Sequence, residues 1–135
     1  MIKKLLLIFV VFVFTCSFAL AEENGNTVII DKNYDSGYSV VINDEAKLLS
    51  EDEKNQLKLD MFPLTEYGNV VFLSTNYSGK SQHQIAHDYY YGLFRTESGT
   101  ALLIDMYERI VYIYSDGDNL KTITKSKAEI ITDNI

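Results

Sequence analysis

The sequence predicts an α/β sandwich in which a central mixed sheet of about four strands is flanked by helices. Three observations predict it. Residues 70–73 (VVFL) and 101–104 (ALLI) are continuous apolar runs, short for helices and without polar alternation, as in strands buried on both faces. Between them, residues 81–94 carry a helical pattern, the kind of crossover that joins parallel strands. After a short polar turn, residues 109–114 (RIVYIY) alternate in part, as a hairpin partner does.

The chain opens MIKKLLLIFVVFVFTCSFALAEE. Lys3 and Lys4 precede an apolar run, and Ala19 and Ala21 place small residues where a signal peptidase reads. Residues 1–21 are expected to be a signal peptide cleaved after Ala21. The run is short for a bilayer span and is weakened by Thr15, Cys16 and Ser17. The residues before Cys16 also lack the small side chain that precedes a lipidated cysteine. Cleavage would leave residues 22–135 as one domain, secreted or extracytoplasmic, in the periplasm or at the cell-envelope face. Cys16 is the only cysteine, so this remainder has no disulfide and no thiolate ligand. Loss of the two lysines also takes the formal charge from −7 to −9. Such acidity suits neither a nucleic-acid backbone nor anionic lipid, both of which call for a basic face.

Residues 22–37 are polar apart from 27–30 (TVII), and are expected to be a flexible linker before a domain over 38–135. Residues 38–42 (YSVVI) read as a strand closed by Asn43 and Asp44. Ser50, with Glu53 three residues on, forms a capping-box pattern, and Glu51 and Asp52 suit the positive end of a helix. Leu57, Met61 and Leu64 supply the inward stripe, Pro63 ends or kinks the helix near Phe62, and Gly68 marks its stop. After the strand at 70–73 and a turn-rich loop at 76–80, Ser81 or its neighbour caps the second helix. That helix is expected to bury Ile85, Tyr89 and Leu93, with Ala86 beside them. The unit 70–104 would be a right-handed parallel crossover. From Asn119 a last helix carries Leu120, Ile123, Lys127, Ile130 and Ile131 at helical intervals.

The only two histidines, His83 and His87, are four residues apart on the second helix, as in a zinc-protease helix. Gln84 stands where such an enzyme carries its glutamate base. With the buried stripe at 85, 89 and 93, both histidines would face solvent or the rim. Two ligands also fall short of the three or four that a catalytic or structural zinc needs. They are expected to be surface residues. The run Asp116-Gly117-Asp118-Asn119 is no EF-hand, because Lys127 occupies the position of the final glutamate. Phosphate-binding glycine loops and nucleophile-elbow serines are missing from the sequence.

Residues 38–135 resemble the TPM domain family. The resemblance is carried by VINDEAKLLSEDEKNQL, VVFLS, QIAHDYYYGLF and above all GTALLIDMYERIVYIYSDG. It implies an exported or lumen-facing α/β sandwich. Family members have been linked to photosystem repair, to modulation of a membrane receptor, and to acid phosphatase activity with calcium binding, while most bacterial members have no assigned activity. Bacterial members often continue into a transmembrane helix and a glycine-rich tail. Since the last helix is still running at Ile135, the sequence is expected to lack a C-terminal part, through which the whole protein would meet the membrane.

Two functions follow as expectations. The first is a non-catalytic binding or assembly module with a protein partner, such as a membrane-bound complex. Its contacts would be Tyr90, Tyr91 and Tyr107, because three successive tyrosines on one helix cannot all face inward. The second is a metal-assisted acid phosphatase. Sites in open α/β sheets gather beyond the carboxyl ends of the parallel strands, where Asp44 and Asp105 would emerge, with Glu108 nearby. These three oxygen donors would suit calcium or magnesium, with Asp44 and Asp105 as the catalytic pair. Alternatively, Asp44 and Asp105 only shape turns.

Overall fold

The computed structural model describes residues 28–134, so the expected leader at 1–21 lies outside the described residues. Five strands form one sheet in the order β1-β2-β3-β4-β5. β1 (Ile29–Lys32) runs antiparallel to β2 (Ser39–Asp44). β3 (Asn69–Thr75) and β4 (Gly99–Asp105) continue parallel to β2, and β5 (Ile110–Asp116) returns antiparallel. The fold is therefore the predicted mixed-sheet α/β architecture, with five strands in place of about four.

The additional strand is β1, and it corrects the expectation of a flexible linker over 22–37 for the described part of that segment, residues 28–37. Asn33 reverses the chain: its side-chain oxygen accepts from the backbone N–H of Asp35 and Ser36, and Gly37 takes a positive φ of 81°. Asn33 and Tyr38 then close the hairpin through an N–H···O bond of 2.8 Å. Ile29 pairs with Ile42 and joins the apolar cluster beneath it.

α1 (Glu51–Met61) begins with the predicted capping box between Ser50 and Glu53. Pro63 falls at the start of a 3-10 turn, Phe62–Glu66, where its fixed φ continues the winding and its missing N–H costs nothing. α2 (Gln82–Phe94) opens with a second capping box, Ser81 with Gln84. The single last helix expected from Asn119 is two: α3 (Asp118–Thr122) and α4 (Lys125–Thr132), separated where Ile123 leaves helical geometry.

Alternation along the strands divides the core in two. Val40, Ile42 and Phe72 face α1, where Met61 and Leu57 meet them. Val41, Val71, Leu73, Ala101 and Leu103 face α2, where Ala86 and Tyr90 meet them. The two helices thus lie on opposite faces. Both crossovers, β2-α1-β3 and β3-α2-β4, step in the same direction across the sheet, so they must have opposite hands. Only one obeys the right-handed rule that holds in about 98% of such connections.

α2 is also turned by one residue from its expected orientation. Ala86 and Tyr90 are fully buried, Ile85 and Tyr89 are half-buried, and Leu93 is 44% exposed. Tyrosine can take the innermost position because its hydroxyl donates to the Glu97 carbonyl at 2.9 Å, so its polar atom is not orphaned. Burial pushes the Tyr90 hydroxyl's pKa far upward. Gly99 makes room: a Cβ at position 99 would collide with the Tyr90 hydroxyl and with the Asn69 backbone.

Gly99→Ala is expected to destabilise the fold by about 1–3 kcal/mol in urea unfolding. Adding Tyr90→Phe should recover part of that loss, since the hydroxyl is one of the two obstacles; strictly additive losses would count against this packing account.

Candidate functional site

Asp44 ends β2 with no exposed surface. Its two carboxylate oxygens accept from the backbone N–H groups of Leu48 (3.0 Å) and Leu49 (2.8 Å), and Ser74 donates a short hydroxyl bond to it. Ser74 in turn accepts from the Ala46 N–H at 3.1 Å. Burial alone would raise the Asp44 pKa. The bonds from Ser74, Leu49 and Leu48, with the Lys54 charge, outweigh it and hold the carboxyl below its ordinary value. Asp44 is the peg around which the β2–α1 loop folds.

Asp105 ends β4 and is 1% exposed. One oxygen accepts from the Tyr107 and Glu108 N–H groups at 2.9 and 3.1 Å, shaping the hairpin turn. The other accepts from the Gln82 side chain at 3.0 Å, which ties the first turn of α2 to that hairpin.

The two carboxylates do not meet. Asp44 is in register with Ser74 and Asp105 with Thr75, and consecutive residues of a strand point to opposite faces. Asp44 leaves on the α1 face and Asp105 on the α2 face, with β3 between their strands. Glu108 is exposed in the turn. The expected calcium or magnesium set of Asp44, Asp105 and Glu108 is therefore not assembled, and neither is a catalytic pair of Asp44 with Asp105. Among the described residues, no group of three or more His, Cys, Asp or Glu side chains is placed to hold a metal ion.

The tyrosines also divide. Tyr90 is buried in the core, which corrects its expected role as a contact residue. Tyr91 and Tyr107 are exposed, at 39% and 60%, but they lie at opposite ends of the sheet and form no common patch. Tyr91 adjoins, through the ring of His87, a feature that sequence reasoning missed. A groove of about 660 Å³ runs over β5 between α2 and α4. His83 and His87 form one wall, Tyr112 and Tyr114 the floor, and Leu120 and Ala128 part of the other wall.

From that wall onward along α2, residues four apart stack in sequence. His83 and His87 are near-parallel, 25° apart with ring centres separated by 5.8 Å, and His87 and Tyr91 are 12° apart at 5.6 Å. The Arg95 guanidinium lies 5.1 Å from the centre of the Tyr91 ring. Tyr114 sets its edge against His87, at 84° and 5.7 Å, and Tyr112 bonds His83 through its hydroxyl at 3.1 Å. Burial, with the neighbouring Asp116 carboxylate, pushes the Tyr114 hydroxyl up to about 12, so it stays protonated and donates to Asp116 at 2.9 Å.

The histidines were expected to face solvent or the rim, and they do: both stand at the rim of the groove, with His83 exposed and His87 half-buried. Arg95 closes the helix at φ 57° and ψ −121°, a conformation that strains a residue with a side chain. The spacing 83, 87, 91, 95 was the available signal, since every fourth residue shares a helix face. A second, smaller cleft of about 380 Å³ opens beside the carboxyl end of β3, flanked by the Lys80–Asp88 ion pair at 2.9 Å. Compared with known proteins, the chain matches no family model, no curated protein and no solved structure.

Because the Asp44 carboxyl is held below its ordinary pKa, its stabilising effect is present above the unfolded value near about 4 and is lost as pH falls through the native value. Asp44→Asn is expected to cost about 1–3 kcal/mol at pH 7 in urea unfolding, with the gap to the parent chain narrowing toward pH 3. A gap independent of pH would contradict a structural carboxylate at this position.

Proposed function

We propose that this chain is an exported, TPM-type domain acting as a non-catalytic binding module outside the cytoplasmic membrane, and that its partner is a protein belonging to a membrane-bound complex. The observation that carries this reading is the groove between α2 and α4. It offers aromatic and aliphatic side chains with a few polar groups, the composition that anchors partners at interfaces. Asp44 and Asp105, the residues best placed by sequence for chemistry, are instead committed to backbone N–H groups. The apolar leader and the resemblance over 38–135 support the compartment and the family. No observation favours the metal-assisted phosphatase, which requires Asp44 and Asp105 on one ion.

The test is site-specific photo-cross-linking in cells, with a photoreactive residue at Leu120 on the groove wall or, as control, at the exposed Asp52 on α1. One reproducible adduct from position 120, absent from position 52, is expected. Tyr91→Ala should lower capture about tenfold or more without shifting the melting temperature, as for a contact of hot-spot strength. Equal labelling from both positions, or no reproducible adduct, would overturn the reading.

A further inference from the structure

The sequence sets His83 and His87 aside as a zinc site because no third ligand stands near them. Three structural facts change what the pair can do, although they do not make it a structural zinc or a hydrolase centre. The first is ring geometry. Two imidazoles bound through nitrogen to one tetrahedral ion at about 2.0–2.1 Å place their ring centres roughly 5 Å apart. His83 and His87 are already near-parallel at 5.8 Å. The pair is therefore already within about an ångström of the ring separation that a shared ion requires.

The second fact is the state of the nitrogens. His87 Nδ1 lies 3.2 Å from Asp88 Oδ1. A carboxylate only accepts, so a neutral His87 donates from Nδ1 and carries its lone pair on Nε2. Asp88 is itself held by Lys80 Nζ at 2.9 Å. His83 Nδ1 is engaged by the Tyr112 hydroxyl at 3.1 Å. No hydrogen bond occupies either Nε2 among the described residues. His87 thus has an outer carboxylate that orients the ring and supports its basicity, as histidines at metal centres do, and His83 faces a hydroxyl that can accept a hydrogen bond from its Nδ1–H and leave the lone pair on Nε2. The third fact is access: the pair sits at the rim of an open groove, with His83 exposed.

We propose that His83 and His87 form a two-imidazole site for a divalent transition-metal ion, with Asp88 as its positioning residue. The Nε2 atoms are the donors, and water completes the coordination. Imidazole donors without carboxylate or thiolate favour copper(II) over zinc, following the usual affinity order. With only two protein ligands the ion is exchangeable and keeps open positions toward the groove, where a donor atom on a bound partner can enter. Hydrolysis is not implied, since Gln84 supplies no base.

The test is calorimetric titration of copper(II) chloride, and separately zinc chloride, into the full chain, with electron paramagnetic resonance of the copper complex. One saturable site per chain is expected, tighter for copper, with hyperfine structure from two nitrogens. His83→Ala and His87→Ala should each weaken binding at least tenfold. Asp88→Asn keeps both histidines and should weaken binding by about tenfold or more while altering the copper spectrum, as loss of an outer-shell carboxylate does. Unchanged affinity in either alanine variant would overturn the site. Unchanged affinity and spectrum in Asp88→Asn would reduce it to an adventitious histidine pair and overturn the proposal as well.

Discussion

Three adjacent parallel strands cannot be closed by tight turns, so the loops entering and leaving β2, β3 and β4 arrive with backbone groups that no ladder satisfies. Here side chains of the strands themselves do the closing, and the rest of the structure depends on it. At one end Asn69, 1% exposed, accepts from the Ser39 N–H at 2.9 Å and donates to Glu97 at 3.1 Å. It thereby joins the starts of β2 and β3 to the loop before β4. At the other end Asp44 and Ser74 gather the N–H groups of Ala46, Leu48 and Leu49, while Asp105 gathers those of Tyr107 and Glu108. A buried carboxylate is tolerable where several donors converge on it, and these loops supply them.

This arrangement explains why the carboxyl edge, the usual place for chemistry in such folds, does not hold the site expected there. Its acidic residues are consumed by closure and are separated by strand parity. The groove proposed as the binding surface lies instead at the antiparallel side of the sheet. There β5 presents Tyr112 and Tyr114 toward α2, and α4 stands far enough away to leave a groove. The histidines, tyrosines and arginine along α2 extend that surface lengthwise.

Much of the fold was legible from local signals. The capping boxes at Ser50 and Ser81 mark the starts of α1 and α2, because a cap is a contact between residues three apart and needs no tertiary context. The apolar runs of β3 and β4 were equally plain. What escaped depends on long-range partners or on single-residue phase. β1 is only four residues long with half its side chains exposed, and it becomes a strand through pairing with β2. The inward face of α2 was misjudged because Ile85 and Leu93 are the more apolar residues, whereas the small Ala86 and the hydrogen-bonded Tyr90 fit the sheet more closely. Asp44 and Asp105 were assigned to the correct edge. Their faces depend on a one-residue register that no composition or spacing reveals, and that register decides whether two carboxylates can share an ion.

The strand order, identical to the order along the chain, also bears on how the protein is made. No strand is inserted between two earlier ones, so a chain synthesised from its N-terminus can add each strand to the growing side of the sheet as it appears. The waiting periods are the crossovers at 45–68 and 76–98, during which first β2 and then β3 stands as a temporary, largely apolar border. Such borders invite pairing with other chains. In the finished sheet, among the described residues, only β1 and β5 remain as edges, so the most adhesive strands are exposed solely while synthesis is under way.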